Sequence, residues 1–161
     1  MAKIAQADYG RTVLRKVPAG TVVKYDSRQL MWFYDINYGR MRELIAGIDE
    51  QAESVVGRSD SDTPPVHLTR IDSDRYTSTW RITYMFEESG EPVADPDIQV
   101  RLYHDSRQAV THSCGRHTHL NMLRVIDTEQ GSSFQRRWSM NVLLYKWLEY
   151  LLSKNYRWSE K

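Results

Sequence analysis

The sequence predicts an α+β fold in a single domain. In this fold an antiparallel sheet of four to five strands is packed on one face by an N-terminal helical segment and a long C-terminal helix. Two observations lead to this prediction. Residues 66–114 contain paired segments in which apolar and polar side chains alternate. Residues 132–154 repeat apolar side chains at helical spacing. The length of 161 residues suits one domain of this kind.

Three segments are expected along the chain. Residues 1–25 form an N-terminal arm in which basic residues outnumber the single acidic residue, Asp8. Residues 26–156 form the folded domain, and residues 157–161 form a C-terminal tail. The arm is best interpreted as a solvated tail, although its positive charge would also suit contact with an acidic partner.

The first element is a helical segment after residue 26. Asp26 and Gln29 have the spacing of a capping box, in which each side chain accepts a hydrogen bond from a free backbone N–H group. Asn37 and Gly39 interrupt the apolar spacing that follows. We therefore expect either one bent helix or two short helices, with Asn37 capping the second. Gly47 is the expected stop.

The middle of the chain is predicted to contain two hairpins. The polar residues 49–65 are expected to form a surface loop that ends in two prolines. Residues 66–71 and 75–87 alternate with a period of two, and the DSD sequence between them predicts a turn. After a second loop, SGEPVADPD, residues 98–105 and 108–114 form the second hairpin.

The C-terminal part should supply the main core helix. Residues 115–131 are ambiguous, and HLNMLRVI within them is a candidate fifth strand that Gly131 ends. Ser132 and Gln135 offer a second capping box. In residues 132–154, large apolar side chains cover most of the helix circumference. A helix of this composition has to be largely buried.

The overall composition argues against several classes of protein. The net charge of +1 provides no general attraction to nucleic acid or to a membrane surface, so nucleic-acid binding is not expected as the main role. Cys114 is the only cysteine, which fits a reducing compartment. No signal-peptide core and no run of about 18 apolar residues is present. We expect a cytoplasmic protein; the oligomeric state is not predicted.

The outward face of the predicted sheet carries the candidate ligand-binding residues. Arg81, Arg101 and Tyr103 should lie near one another there, and two guanidinium groups beside an aromatic ring are able to hold a phosphate or stack on a base. The alternative, which we favour, is that they only form a soluble outer face. His104 lies near the end of the predicted strand at residues 98–105. It is either a general base or, as we favour, a histidine that caps the core.

The stretch HSCGRHTHL suggests a metal site. His112, Cys114, His117 and His119 are all possible zinc ligands. No second ligand cluster with standard spacing occurs elsewhere, and the stretch crosses Gly115 and a predicted turn. We therefore favour solvated loop histidines and a buried structural thiol. No metal, no cofactor and no catalytic residue is predicted, and no glycine-rich phosphate loop occurs.

Three blocks of sequence carry a resemblance to a known family. They are DINYGRMRELI at 35–45, RIDSDRYTSTWRI at 70–82 followed by DIQVRLYHD at 97–105, and QRRWSMNVLLYKWLEYLL at 135–152. Together they resemble the small bacterial proteins typified by YqiB, a family of unknown function, over residues 27–155. The resemblance implies a compact cytoplasmic bacterial protein. It implies no activity, because the family has no established catalytic residues to carry over.

Three hypotheses about function follow. The leading one is a non-catalytic binding or regulatory protein whose partner is another protein or a small phosphorylated ligand. The second is a small enzyme acting on a nucleotide-like phosphorylated substrate, in which Arg81 and Arg101 hold phosphate and His104 is the general base. This mechanism requires the three side chains to line one cleft. The third is a weak nucleic-acid binder that uses the arm and the sheet.

Overall fold

The computed structural model describes residues 26–60, 62–115 and 133–160. Two helices and six strands follow one another along these ranges. In chain order they are α1 (Ser27–Ile45), β1 (Ser54–Arg58), β2 (Val66–Ser73), β3 (Thr77–Glu88), β4 (Glu91–Tyr103), β5 (Gln108–Cys114), α2 (Ser133–Ser153) and β6 (Arg157–Glu160).

The strands form one open antiparallel sheet in the order β5-β4-β3-β2-β1-β6. Ile82 of β3 pairs with Ile98 of β4, and Trp80 pairs with Val100. These side chains are buried on the inner face. Because side chains alternate along a strand, their neighbours point to the other face, which is polar. The sheet therefore has one apolar side that needs a cover.

Helix α2 forms much of the core that covers this inner face. Leu143, Leu144, Trp147 and Leu148 have no exposed surface, and the Trp147 ring meets Tyr84 of β3 edge-on at 5.4 Å. Burial of each such side chain contributes about 1.5–3 kcal/mol to folding. Helix α2 and the inner sheet face are therefore the main source of stability.

A buried polar junction joins the two helices and strand β5. The Asn37 Nδ2 of α1 donates to the Asn141 carbonyl of α2 at 3.0 Å. The Asn141 side chain accepts from the Thr111 backbone N–H at 3.1 Å and donates to the Arg137 carbonyl at 2.7 Å. Both asparagines are fully buried. The junction holds α1, α2 and β5 in one fixed arrangement.

The C-terminal end of the chain completes the sheet. In β6, the ring of Trp158 lies over Gly57 of β1 so closely that a Cβ atom at position 57 would overlap it. Trp158 also stacks on Tyr156, whose hydroxyl group is 3.0 Å from that of Tyr84. Gly57 is needed because the indole occupies the space of its side chain.

The α+β class and the antiparallel sheet are confirmed, but the sheet has six strands in the described ranges rather than four to five. Strand β1 lies within residues 49–65, which were predicted as a loop, and β4 begins at Glu91 within the second predicted loop. Residues 157–160, predicted as a tail, form β6. The candidate strand HLNMLRVI, residues 119–126, and the Ser132 cap lie outside the described residues.

The first helix is continuous, so the alternative of two short helices with Asn37 capping the second is wrong. Asn37 instead turns inward to the polar junction. Asp26 is the N-cap, and its side chain accepts from the Arg28 N–H at 3.0 Å. The helix ends at Ile45 with Ala46 as C-cap, one residue before the expected stop at Gly47. Neither helix in the described ranges is long and apolar enough to cross a membrane.

We expect Asn141→Leu to lower the free energy of unfolding by about 2–3 kcal/mol, because the Thr111 N–H loses its acceptor inside the core. Urea unfolding followed by circular dichroism measures the change. The matched variant is Asn37→Leu, which should cost only about 1 kcal/mol, because the Asn141 carbonyl lies in a helix and has a helical partner available. Equal losses in the two variants would contradict the role assigned to Asn141.

Candidate functional site

An open cleft of about 540 Å³ lies between the middle of α1 and the turn that joins β4 to β5. Its lining residues are Tyr38, Gly39, Arg42, His104 and Arg107. Two elements far apart in sequence therefore form its walls, and the cleft exists only in the folded chain.

The helical wall is formed by three residues of α1. Positions 38 and 39 precede position 42 by four and three residues, so both neighbour Arg42 on the helix surface. Arg40 fixes this helix against α2. Its Nη1 donates to the Tyr145 carbonyl at 2.8 Å, and its guanidinium lies 4.0 Å from the centre of the Tyr145 ring. Tyr38, Gly39 and Arg42 are thus presented by a helix that is anchored to α2 at Asn37 and at Arg40.

The second wall is the β4–β5 turn. The His104 backbone N–H donates to the Tyr76 carbonyl at 2.8 Å, which ties the turn to the β2–β3 hairpin. The Asp105 carboxylate accepts from the Ser106 N–H at 2.8 Å. Arg107 has φ of 57°, a left-handed conformation that side chains disfavour. The turn therefore keeps an arginine at the cleft in a backbone conformation that glycine would adopt more easily.

His104 is held at both ring nitrogens. Its Nδ1 is 3.2 Å from the Tyr38 hydroxyl, and its Nε2 is 3.1 Å from Ser78 Oγ. Ser78 Oγ also accepts from the Trp80 indole N–H at 3.3 Å. A chain of hydrogen bonds therefore runs from the cleft wall to a buried tryptophan, and it fixes the orientation of the imidazole.

Burial of the imidazole, helped by the charge of Arg42, favours its neutral form. Burial lowers the pKa of His104, and the positive charge of Arg42 lowers it further. The Asp74 and Asp105 carboxylates act in the opposite direction but more weakly. The Asp74 carboxylate already accepts hydrogen bonds from the backbone N–H groups of Tyr76 and Thr77.

Two arginines of the cleft have no partner among the described residues. Within the described part of the chain, neither Arg42 nor Arg107 makes a hydrogen bond or an ion pair. Both side chains are exposed. A guanidinium group presents several N–H donors in a rigid fork that matches carboxylate and phosphate oxygens. The cleft can therefore receive an anion from two sides.

Arg81, which was predicted to hold a phosphate, already forms an ion pair with Asp97. It makes a two-point contact with Asp97, with Nε–Oδ1 at 2.7 Å and Nη2–Oδ2 at 2.6 Å. The Thr83 hydroxyl donates to the same carboxylate at 2.9 Å. Arg81 lowers the pKa of Asp97, and Asp97 raises the pKa of Arg81. The pair is a cross-strand contact on the outer face.

Arg101 and Tyr103 lie on the same outer face. Thr77 pairs with Tyr103 and Thr79 with Arg101 in the β3–β4 register. The Arg101 guanidinium is 6.0 Å from the Tyr103 ring centre, and its Nη2 is 3.4 Å from the Thr77 hydroxyl. The sequence therefore correctly placed Arg81, Arg101 and Tyr103 together on one face.

His104 lies elsewhere, beside the cleft that neither Arg81 nor Arg101 lines. It bonds to Ser78, which is buried on the inner face, whereas Arg81 points outward. The enzyme hypothesis required these three side chains to share one cleft, and that arrangement is wrong. The physical reason is the alternation of side chains along β3 and β4.

The histidine-rich stretch is only partly described. Cys114 packs against the core, and burial raises the pKa of its thiol to about 12. His112 is exposed beside an irregularity in the β4–β5 pairing, while His117 and His119 lie outside the described residues. Among the residues that are described, no group of three or more His, Cys, Asp or Glu is placed to hold a metal ion.

Sequence reasoning missed four of the five cleft residues: Tyr38, Gly39, Arg42 and Arg107. A signal for one of them was present, because a glycine inside a helical segment needs a reason. We had interpreted Gly39 only as an interruption. No local signal marks Arg107, since its place at the cleft depends on how the β4–β5 turn meets α1.

The family model described as "Protein of unknown function (DUF1249)" matches residues 40–157. The chain belongs to this family. The DUF1249 match covers Arg42, His104 and Arg107, while Tyr38 and Gly39 lie just before its first residue. No curated protein and no solved structure matches the chain.

We expect the free energy of unfolding to fall as the pH is lowered from 7.5 to 5.5, in part because of His104. Its pKa in the folded protein lies below the ordinary value of 6.5. The unfolded chain therefore binds this proton first, which destabilises the folded state below pH 6.5 and has no effect above it. Urea unfolding at several pH values measures the slope.

The control for this prediction is His104→Asn, which removes the titrating group and should give a shallower slope over the same pH range. The carboxyl groups of Asp74 and Asp97 have lowered pKa values, so their contribution to stability is lost only at more acidic pH. Identical slopes in the two proteins would show that the pKa of His104 is not lowered by folding.

Proposed function

We propose that this protein is a non-catalytic binding protein that holds the phosphate group of a small ligand in the cleft between α1 and the β4–β5 turn. One observation carries the proposal: Arg42 and Arg107 reach the same cleft from different elements, and neither has a partner in the described part of the chain. Phosphate is the anion that best uses two guanidinium groups.

The neighbouring groups support an anion at this position. The Asp74 carboxylate is engaged by backbone N–H groups, so it leaves the arginines free. Tyr38 also lines the cleft, with its hydroxyl group 3.2 Å from His104 Nδ1. A bound phosphate would offset the positive charge of Arg42, which is one of the causes that lower the pKa of His104. Ligand binding should therefore favour uptake of a proton by the imidazole.

Binding suits the cleft better than catalysis does. Both nitrogens of His104 already have partners, which hold the ring in place rather than leaving one nitrogen open to a substrate. The five lining residues include no carboxylate, serine or cysteine. The outer-face alternative is weaker, because Asp97 already neutralises Arg81.

The proposal includes the setting in which the protein acts. We take it to be a YqiB-like bacterial protein, on the likeness of the blocks at 35–45, 70–82, 97–105 and 135–152. We take it to be cytoplasmic, because a single cysteine suits a reducing compartment. A protein partner remains compatible with this role if the ligand regulates its binding.

Arg42→Ala should weaken the binding of inorganic phosphate by about tenfold or more, because one charge-assisted contact is lost. Isothermal titration calorimetry at low ionic strength measures the dissociation constant, and low salt avoids screening of the exposed arginines. The matched control is Arg58→Ala, an exposed arginine of β1 that does not line the cleft. Wild-type protein that binds no phosphate, or an equal loss in the control, contradicts the proposal.

Arg107→Gly should separate binding from stability. Glycine adopts the left-handed conformation at this position without the Cβ clash, so the free energy of unfolding should rise by about 1 kcal/mol. Phosphate binding should weaken at the same time, because a guanidinium group is lost. The stability control is Asn155→Gly, which also has a positive φ, of 50°, but lies away from the cleft and should leave phosphate binding unchanged. Unchanged binding in Arg107→Gly would remove Arg107 from the site.

A further inference from the structure

We infer that Gly39 leaves room for the organic part of the ligand. The cleft would then select a phosphate monoester whose phosphate contacts Arg42 and Arg107 and whose body lies against α1 at Gly39. This inference rests on the proposed function, since it requires the phosphate to be held by the two arginines.

Gly39 is energetically unfavourable at its position in α1. It lies well inside α1, and α1 is a single continuous helix of 19 residues. Glycine is among the least favourable residues in a helix interior, and only proline is worse. Alanine would fit the same backbone with less loss of conformational entropy. A glycine at this position therefore calls for a reason beyond the helix itself.

The folded chain supplies no such reason within its described residues. Gly39 does not have a positive φ, so its backbone accepts any side chain. Apart from its two chain neighbours and the nearby backbone of α1, a Cβ atom built on it would meet no heavy atom of the described residues within 4 Å. Gly57 provides the contrast, because there the indole of Trp158 fills the space of the missing side chain. Among the described residues, Gly39 is exposed, faces open space and lines the cleft.

The position of this space relative to Arg42 suggests what occupies it. Residues 39 and 42 are three apart and adjacent on the helix surface. Side chains on a helix lean toward its N-terminus, so Arg42 leans over the turn that contains Gly39. No atom of Arg42 fills the gap. A molecule whose phosphate lies at Arg42 would therefore have its next atoms beside Gly39.

The size of the cleft fits a ligand larger than a phosphate ion. Its volume of about 540 Å³ lies within the range of small-molecule sites in proteins, roughly 300–1,000 Å³. Tyr38 also lines the cleft, while Arg42 and Arg107 provide the charge. The chemical class is a phosphate monoester with a compact organic group.

The test compares two probes, inorganic phosphate and phenyl phosphate, on the wild-type protein and on Gly39→Ala and Gly39→Leu. Both substitutions introduce strong helix formers, so the variants should fold. We expect wild-type protein to bind phenyl phosphate more tightly than inorganic phosphate. Gly39→Leu should weaken phenyl phosphate binding by about tenfold or more, as in an overpacked site, and leave inorganic phosphate binding unchanged. Gly39→Ala should show a smaller loss of the same kind.

Thermal unfolding without ligand supplies the second measurement. Gly39→Ala should raise the melting temperature by about 2–4 °C, because alanine stabilises the helix. The matched control is Gly47→Ala, which follows α1, makes only an ordinary contact with Trp158 and does not line the cleft. It should not change the binding of either probe. A Gly39→Ala protein that is more stable and also binds phenyl phosphate as tightly as the wild type would overturn the inference.

The remaining outcomes separate the two proposals. If wild-type protein binds neither probe, the proposed function fails and the role of Gly39 fails with it. If it binds inorganic phosphate but Gly39→Leu weakens neither probe, or both probes equally, the phosphate site stands. In that case the space beside Gly39 does not hold the organic body, and the inference is overturned alone.

Discussion

The arrangement of the helices depends on one buried amide, the side chain of Asn141. It accepts from the Thr111 N–H of β5 and donates to the Arg137 carbonyl of its own helix, while the backbone carbonyl of Asn141 accepts from the Asn37 side chain. A buried polar group must keep its partners, because an unpaired donor or acceptor in the core costs far more than a bond in water gains. This requirement fixes α1 relative to α2 and to the edge of the sheet. Tyr38 follows Asn37 directly, so the junction also sets where α1 meets His104.

The arginines of the outer sheet face and the arginines of the cleft have different electrostatic environments. Arg81 has a carboxylate placed directly against it and contributes a local ion pair to the outer face. Arg42 and Arg107 have no carboxylate in contact within the described chain, so no ion pair there neutralises their charge at the cleft. A count of arginines in the sequence cannot distinguish these two situations. The difference arises from Asp97 on the adjacent strand β4, two residues from Gln99, which pairs with Arg81.

The sequence predicted the parts of the fold that depend on local periodicity. The alternation in residues 77–84 and the apolar surface of residues 138–152 were strong enough to place β3 and α2, together with the burial of Trp80 and Trp147. Strand β1 was missed because its apolar part is only Val55 and Val56 within a polar stretch. Strand β6 was missed for a similar reason, since Trp158 is its only large apolar residue.

The site was much harder to predict than the fold. The outer-face residues were found because strand register follows from the hairpin turns. The cleft was not found, because it depends on where α1 crosses the end of β4, and that is decided by buried contacts such as Asn37 with Asn141. A polar residue inside a helix was interpreted as a local cap, although its partner lies 104 positions later in the chain. Long-range contacts of this kind leave no periodic signal.

The environment of Cys114 has a practical consequence for following the molecule in solution. The chain has a single thiol, and burial against the core keeps it protonated at neutral pH. Alkylating reagents attack the thiolate, so this partly buried sulfur reacts slowly while β5 is paired and faster when β5 detaches from the sheet. The rate of its modification therefore reports how often the edge strand β5 opens, and no cysteine has to be introduced for the measurement.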